Sequence, residues 1–409
     1  MQRYLLFLSF LATLYSFSQP NTDIFLFDLS TENGNFELSN IKNISNNEGY
    51  DNQPSFLDNN TILYAGTRKG QTDIVKYTIP YDSKVYINLT EGSEYSPLKI
   101  PNQKAVSAIR LDEDGAQKLY KYNLRNGESE VLVDDVIIGY HVWYNADILA
   151  SSVLEDGSMS LYVTNFKEKE NYKIEAKVGR SLHKIPNTNL VSYISKANDS
   201  LWDIKSFDPI SYKTKSIVAT LPNSDDMCWL SQSTMLMGKG DKLYKNNNAK
   251  DWIEVASLEE YDISNITRLA VSPDGIKLVL VGEGGKVSDS EATNSSNKET
   301  VSYAEKIVQI QLEAYNNRDI DAFMATYASD IKLYDYPEKL KSVGQKSIRK
   351  SYDTFFKNTP DLHAYIKNRI VIGNKVIDEE QVTINGKIYN AVAIYEVENG
   401  IIKKVTFIQ

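Results

Sequence analysis

The sequence predicts an all-β six-bladed propeller followed by a separate α+β cone-shaped barrel. Through the first two thirds of the chain, a pattern of short strands and polar turns returns every 40 to 50 residues. This period is typical of propellers, because a sheet buries both faces only when neighbouring sheets stack on it. A polar stretch, expected to be a flexible tether, then precedes a region of helical spacing. The predicted division is a signal peptide at 1–18, a propeller at 19–283, a linker at 284–302 and the barrel at 303–409.

The first eighteen residues have the composition of a signal peptide. Arg3 supplies the positive end, Leu5–Leu14 is an apolar run, and Ser16–Ser18 offers small residues for cleavage before Gln19. The apolar run is too short to span a bilayer permanently. We therefore expect an exported protein, periplasmic or extracellular, with no membrane span after cleavage. An uncleaved membrane anchor is the alternative.

The composition of the chain argues against a nucleic acid partner and against stabilisation by disulfide bonds. Hydrophobic residues make up 42% of the chain and charged residues 24%, which excludes disorder throughout. The formal net charge is -9, whereas a nucleic-acid-binding protein needs a basic surface, so we expect no nucleic acid partner. Cys228 is the one cysteine in the sequence. The chain therefore forms no intramolecular disulfide and depends on packing for its stability.

Each repeat of the propeller pattern opens on an apolar residue of one strand. The pattern is clearest over Thr72–Leu98, where two strands joined by a polar turn are followed by the start of another. The last hairpin, Ile266–Gly282, lacks its two outer strands. We expect residues 22–44 to complete this blade and to close the ring. The opening residues of the six repeats are Ile24, Ile74, Leu119, Leu161, Leu201 and Leu243.

The last repeat carries the most specific motif of this region. Within Leu269–Leu280, Pro273 presets a turn and Asp274-Gly275 supplies the positive φ values that a tight hairpin needs. Together with apolar-aromatic strand starts such as Leu119-Tyr120, this motif resembles the WD40-like repeat of TolB-like six-bladed propellers. The resemblance implies that a protein, a peptide or another ligand binds at one mouth of the central channel. The region shows no spacing typical of metal ligands, and we expect no cofactor.

The region from Tyr303 onward combines helices with a meander of strands. Helical spacing predicts a first helix up to Tyr315, a second capped by Asp319, and a third over about Gln345–Lys357. A short strand, Ile331–Asp335, lies between the second and third helices. A curved sheet closed by helices forms a cone that encloses a pocket. Four further strands are joined by turns at Gly373-Asn374, Asn385-Gly386 and Asn399-Gly400.

Five segments of the barrel region carry a family resemblance. Together they resemble a SnoaL-like domain of the nuclear transport factor 2 superfamily, over all of residues 303–409. The resemblance implies the fold and a pocket, while the same cone serves isomerases, cyclases, hydrolases and plain binding proteins. The segments are Ala314–Asp319, Tyr327–Asp330, Asp335–Pro337, Gly344–Ile348 and Glu398–Ile402.

Asp335 is the candidate catalytic residue. The resemblance to ketosteroid isomerase-like members implies a general base at this position, where desolvation would raise the pKa of a carboxyl group. The oxyanion donors of those enzymes fall at Gln311 and Ile394, which would leave an enolate poorly stabilised. An ordinary turn or capping carboxylate is the alternative for Asp335, and Glu380 is expected on a solvated strand. The residues expected to line the pocket are Tyr315, Tyr327, Tyr334, Tyr352, Phe355 and His363.

The predicted function is that of an exported two-domain binding protein. The propeller would recognise a protein or ligand, and the barrel would hold a small apolar or amphipathic molecule, because neither region shows a catalytic constellation. The alternative is an isomerase, lyase or hydrolase with Asp335 as its general base. In a third interpretation the barrel forms a homodimer through a surface that includes Val405 and Phe407.

Overall fold

The computed structural model describes residues 20–31, 35–88, 90–124, 127–155, 157–247, 251–285 and 302–408. The predicted signal peptide and positions 286–301 of the predicted linker lie outside these residues. Over the described ranges the chain is mostly β, with thirty strands and three α-helices. None of the described helices is long and apolar enough to cross a membrane.

Twelve strands occupy the first part of the described chain. Strands three to six form one antiparallel sheet in sequence order, and strands seven to ten form the next. The twelve strands are β1 (Asp23–Ser30), β2 (Glu37–Asn43), β3 (Asn52–Asp58), β4 (Thr61–Arg68), β5 (Gln71–Thr78), β6 (Ser83–Tyr86), β7 (Ser93–Lys99), β8 (Ala105–Leu111), β9 (Gln117–Asn123), β10 (Ser129–Val133), β11 (Ile138–Trp143) and β12 (Ile148–Glu155).

Twelve more strands continue the same arrangement. They are β13 (Ser158–Asn165), β14 (Glu170–Ala176), β15 (Val178–Lys184), β16 (Val191–Ser195), β17 (Asp203–Phe207), β18 (Thr214–Ala219), β19 (Met227–Ser231), β20 (Thr234–Lys239), β21 (Lys242–Asn246), β22 (Ile253–Ser257), β23 (Ile263–Val271) and β24 (Lys277–Gly284). Strands β11 to β14, β15 to β18 and β19 to β22 form three four-stranded sheets in sequence order. The remaining sheet has the order β2-β1-β24-β23.

The sheet with order β2-β1-β24-β23 joins distant parts of the chain. Strand β1 pairs antiparallel with β24, so that Ile24 lies opposite Val281 and Phe27 opposite Leu278. The turn between β23 and β24 is tight, because the Gly275 N–H donates to the Ser272 carbonyl at 2.9 Å and Gly275 has a φ of 77°. Residues before the first complete sheet thus pair with residues just before the linker.

Each of the six described four-stranded sheets has one edge strand, here called its first strand, that contacts the first strands of two other sheets. Strand β3 contacts β7, β7 contacts β11, β11 contacts β15, β15 contacts β19, β19 contacts β23, and β23 contacts β3. The second strands of the sheets are buried along most of their length, as in β4 and β12. Burial of both faces follows from the stacking of each sheet between two others.

One predicted repeat position is wrong. Leu201 is 55% exposed and precedes β17, in which Ile204 is fully buried. The apolar-aromatic pair Leu201-Trp202 has the sequence pattern of a strand start. The buried residue of this strand is Ile204, three residues after Leu201. The other predicted opening residues are fully buried in the third strand of a sheet or in β1, namely Ile24, Ile74, Leu119, Leu161 and Leu243.

The barrel region contains three helices and one six-stranded sheet. The sheet has the order β26-β25-β30-β29-β28-β27, and β25 runs parallel to β30. The sequence does not predict β26, because three of its five residues are polar and the strand is largely exposed. The elements are α1 (Tyr303–Asn316), α2 (Ile320–Ala325), β25 (Tyr327–Asp335), β26 (Lys339–Val343), α3 (Gln345–Asn358), β27 (His363–Ile372), β28 (Lys375–Ile384), β29 (Lys387–Glu398) and β30 (Ile401–Ile408).

Local sequence fixes the ends of the barrel elements. The Ser302 hydroxyl caps α1 by accepting from the Glu305 N–H at 3.1 Å. The Asp319 carboxylate caps α2 by accepting from the N–H groups of Asp321 and Ala322. The turn between β28 and β29 uses Asn385-Gly386, both with positive φ, as a two-residue hairpin requires.

The barrel packs against the outer strand of one N-terminal sheet. The Ser83 hydroxyl of β6 donates to the Glu313 carboxylate of α1 at 2.7 Å. The Tyr81 hydroxyl donates to Glu305 at 2.8 Å, and the Tyr86 N–H donates to the Asn317 side chain at 3.2 Å. Helix α1 therefore covers the edge that β6 would otherwise expose.

Replacement of Phe27 tests the pairing of β1 with β24. We expect Phe27→Ala to lower the free energy of unfolding by about 3–5 kcal/mol, because the ring is fully buried and its removal leaves a cavity. Denaturant unfolding followed by tryptophan fluorescence measures the loss. The control is Ile276→Ala, at a position 53% exposed, which should change the value by less than about 0.5 kcal/mol. Equal effects of the two substitutions would contradict the pairing.

Candidate functional site

A cavity of about 820 Å³ lies between the curved sheet of the barrel and helices α1 and α3. Its volume falls within the range of small-molecule pockets, roughly 300–1,000 Å³. Residues four apart on a helix lie on one face, and this spacing brings Gln311 and Tyr315 of α1 to the cavity. The aromatic residues of the wall are Tyr315, Tyr327, Tyr352, Phe355, Tyr389, Tyr395 and Phe407.

The wall includes four of the six residues predicted to line the pocket. Tyr315, Tyr327, Tyr352 and Phe355 are among the described lining residues, whereas Tyr334 and His363 are not. The ring of Tyr334 instead lies 5.2 Å from the ammonium group of Lys404. Strand alternation explains both omissions, because the neighbouring residues Leu333 and Ala364 face the cavity in their place.

Asp335 lies outside the described wall of the cavity. Its carboxylate accepts from the Lys341 ammonium group at 3.1 Å, and its side chain is 36% exposed. Such a solvent-accessible ion pair contributes little to stability, typically about 0–1 kcal/mol. Lys341 itself lines the cavity, so this pair stands at its rim. The structure does not bring Asp335 together with the predicted aromatic residues.

Glu380 is the carboxylic acid that faces the cavity. The sequence places it on a solvated strand, but the structure contradicts this, since Glu380 is only 7% exposed. Burial raises the pKa of its carboxyl group to about 8, and the nearby Asp378 carboxylate adds to the increase. The Tyr395 hydroxyl donates to Glu380 Oε1 at 3.2 Å. The alternation of β28 could have predicted this burial, because every second residue of the strand lies on one buried face. These residues are Val376, Asp378, Glu380 and Val382.

A second acid on the same face, Asp378, has a cationic partner. Arg369 Nε donates to Asp378 Oδ1 at 2.6 Å, and Arg369 Nη2 donates to Asp378 Oδ2 at 2.7 Å. This bidentate geometry is the strongest form of a guanidinium–carboxylate pair. Asp378 is fully buried and remains paired, whereas Glu380 receives only the Tyr395 hydroxyl among the described contacts of its carboxyl group.

A series of hydrogen bonds links the Arg369–Asp378 pair to the contact between the domains. Arg369 Nη1 donates to Gln309 Oε1 at 2.9 Å, and Gln309 Nε2 donates to Glu313 Oε1 at 2.8 Å. Glu313 also accepts from Ser83 of strand β6. A continuous chain of polar side chains therefore extends from the N-terminal sheets to the strand that holds Glu380.

Gln311 lines the cavity and carries a buried acceptor that is unpaired within the described part of the chain. Its Nε2 donates to the Tyr327 hydroxyl at 3.0 Å. Its Oε1 is buried and has no hydrogen-bond partner among the described residues. Burial raises the pKa of the Tyr327 phenol, so this hydroxyl stays protonated. A buried amide oxygen without a donor is costly, and a bound molecule could supply that donor.

A smaller cavity, of about 100 Å³, lies among the first strands of the N-terminal sheets. It receives side chains from β3, β7, β11, β15, β19 and β23. Arg180 and Arg268 both pair with Asp226 there, and Arg268 approaches it at 3.2 Å. Within the described ranges, no three His, Cys, Asp or Glu side chains come together in a way that could hold a metal ion.

Comparison with known families supports the predicted relationships. Residues 308–405 match the model of the SnoaL-like domain. Residues 308–405 are therefore similar to a SnoaL-like domain, the region before them shares its fold with a TolB structure, and both predicted resemblances are confirmed. No curated protein matches the sequence.

Solved structures resemble the two parts separately. A structure described as TolB from Agrobacterium tumefaciens is 8% identical, and the match covers 64% of this chain and 98% of that one with a TM-score of 0.50. A cystatin-fold protein from Novosphingobium aromaticivorans is 25% identical over 26% of this chain and 98% of its own, with a TM-score of 0.25. An NTF2-like protein from Cytophaga hutchinsonii is 16% identical, with coverages of 27% and 92% and a TM-score of 0.23.

The buried acid predicts a pH-dependent stability that Glu380→Gln removes. Between pH 4.5 and about 8 the unfolded chain releases the Glu380 proton while the folded chain keeps it. The free energy of unfolding therefore falls as pH rises, by up to about 1.4 kcal/mol per pH unit from this group. We expect Glu380→Gln to gain stability over the natural chain progressively from pH 5 to pH 8.

Thermal unfolding of both proteins across this pH range measures the difference. Glu379→Gln is the matched control, because Glu379 pairs with Lys367 on the exposed side of the same strand. A difference between Glu380→Gln and the natural chain that stays constant from pH 5 to pH 8 would contradict the burial of an unpaired acid.

Proposed function

We propose that the SnoaL-like domain binds a small apolar or amphipathic molecule and that the N-terminal sheets form a recognition module. The observation that carries this proposal is the 820 Å³ cavity, whose wall includes seven aromatic side chains and one buried carboxyl group. Cavities of this size and composition bury most of the surface of a small ligand. The few polar groups on the wall would orient the ligand.

Binding without catalysis is the role that the placement of Asp335 favours. A general base must reach the proton that it removes from a bound substrate. Asp335 is held by Lys341 at the rim, and Gln311 occupies the position of the oxyanion donor. The group that would have to start isomerase chemistry thus stands away from the aromatic wall.

The second candidate is an enzyme of the isomerase, lyase or hydrolase type. The observation that favours it is Glu380, a cavity-facing acid with a pKa of about 8 beside the Tyr395 hydroxyl. A carboxyl group that titrates near neutral pH suits general acid–base catalysis. In this case Glu380, rather than Asp335, would exchange the proton. Loss of turnover in Glu380→Gln with ligand binding retained would identify the enzyme.

The N-terminal module is proposed to be a closed six-bladed propeller that binds a protein or peptide at a channel mouth. Its support is the order of contacts among the first strands, which returns from β23 to β3. Arg180, Arg268 and Asp226 lie together in the central cavity and would give such a mouth charged contacts. Export to the periplasm or the cell exterior, inferred from residues 1–18, is part of this proposal.

A homodimer formed through the barrel would need a surface other than the predicted one. Val405 is fully buried in the core, and Phe407 lines the cavity. Exposed apolar residues at the ends of β27 and β29, Ile372 and Ile388, offer a different surface. The homodimer remains a secondary part of the proposal.

Obstruction of the cavity tests ligand binding. Ala391 lines the cavity on β29, so Ala391→Trp places an indole ring inside it. We expect this substitution to reduce binding of Nile red, an uncharged apolar dye, by at least about tenfold, which corresponds to about 1.4 kcal/mol. A fluorescence titration of the full chain measures it. Ile372→Trp is the control, because this position is 65% exposed and lies away from the cavity. Equal affinity in both variants would contradict the proposed function.

A further inference from the structure

We propose that the ligand of the barrel cavity is an apolar amine, whose ammonium group binds beside Glu380 and Gln311. This inference rests on the proposed function, since it assigns a chemical class to the molecule in the same cavity. Three independent features of the wall support it: a carboxyl group without a cation, an amide oxygen without a donor, and a surrounding set of aromatic rings.

The first feature is the charge balance of the cavity. Among the described lining residues, Glu380 and Lys341 are the ones with ionisable carboxyl or ammonium groups. Lys341 pairs with Asp335, and the neighbouring Asp378 pairs with Arg369 through two hydrogen bonds. Glu380 is thus the carboxyl group on this wall that lacks a cationic partner. Buried carboxylates are stable as ions when a cation pairs with them, and an ammonium ligand would be that cation.

The second feature is a buried polar atom of Gln311, a residue that lines the cavity. Gln311 is 5% exposed, and its Oε1 has no partner within the described part of the chain. Its Nε2 donates to the Tyr327 hydroxyl at 3.0 Å. An acceptor in this setting needs an N–H or O–H group from the ligand. An ammonium group supplies up to three such donors.

The third feature is the set of aromatic rings around the acid. Tyr315, Tyr327, Tyr352 and Tyr395 line the same cavity as Glu380. The Tyr395 hydroxyl donates to the Glu380 carboxyl group at 3.2 Å. The faces of aromatic rings attract cations, and desolvated cages of such rings bind ammonium groups. The same rings provide an apolar surface for the rest of the molecule.

The proton balance of binding follows from these groups. In the empty cavity burial holds the proton on Glu380, while the neighbouring Asp378 disfavours its loss and Arg369 favours it. An incoming ammonium ion keeps its own protons and stabilises the carboxylate. The O–H bond of Glu380 then breaks, its proton passes to the buffer, and an ion pair forms. Because the pKa is about 8, binding near pH 7 should release close to one proton per amine.

Calorimetry with a matched pair of compounds tests the proposal. The probes are biphenylmethylamine and biphenylmethanol, which share a skeleton and differ in the polar group, titrated into the full chain at pH 7. We expect the amine to bind at least about tenfold more tightly, as charge-assisted hydrogen bonds in a buried site predict. Titrations in two buffers of different ionisation enthalpy should show the released proton.

Variants of the two adjacent acids separate the contribution of Glu380. In Glu380→Gln we expect the preference for the amine and the proton release to disappear, while the alcohol keeps its affinity to within about threefold. Glu379→Gln, on the exposed side of β28, should behave as the natural chain does. The comparison of amine with alcohol in the natural chain does not depend on the folding of any variant.

The outcomes distinguish this inference from the proposed function. An alcohol that binds the natural chain as tightly as the amine, or amine binding without proton release, would overturn the ammonium assignment and leave a ligand-binding cavity. If neither compound binds and Nile red affinity is unaffected by Ala391→Trp, the proposed function and this inference both fail.

Discussion

The ion pair between Arg369 and Asp378 is the interaction on which the arrangement of the barrel depends. Strand β28 directs two acids into the inner face of the sheet, and a buried pair of carboxylates would repel each other strongly. The two-bond contact with Arg369 keeps Asp378 compatible with burial. Glu380, which accepts from the Tyr395 hydroxyl alone among its described contacts, can still accept hydrogen bonds from a ligand. The cavity therefore has one acidic group among its described lining residues, Glu380, because the other acid of the strand, Asp378, is paired with Arg369.

The same arginine connects the cavity to the contact between the domains. Its third hydrogen bond reaches Gln309, which donates to Glu313, and Glu313 accepts from Ser83 of the N-terminal sheets. Helix α1 therefore has two functions: one face lines the cavity and the other covers the edge strand β6. Removal of Glu313 would change the contact between the domains and the surroundings of Arg369 together.

Much of the fold follows from sequence periodicity, while the site depends on contacts between distant residues. Hairpin glycines such as Gly275 and Gly386, and the capping Asp319, act within a few residues and can be identified directly. The predicted repeat position at Leu201 is wrong because an apolar-aromatic pair in the sequence does not show whether neighbouring sheets bury it. The acids of β28 appear solvated in a polar run, and only pairing with Arg369 on β27 makes Asp378 compatible with burial. Asp335 is a candidate through resemblance alone, and its partner Lys341 lies on β26, a strand that sequence periodicity does not predict.

The titration of Glu380 tests the account most directly, because ligand class, stability and second candidate function all depend on this carboxyl group. Nuclear magnetic resonance of the full chain with carbon-13 in its glutamate carboxyl groups, assigned by comparison with Glu380→Gln, measures it. The account predicts a signal that titrates near pH 8 in the free protein and is shifted to the ionised form at pH 7 by biphenylmethylamine. A Glu380 signal that titrates between pH 4 and pH 5, as an ordinary exposed glutamate does, would contradict the account.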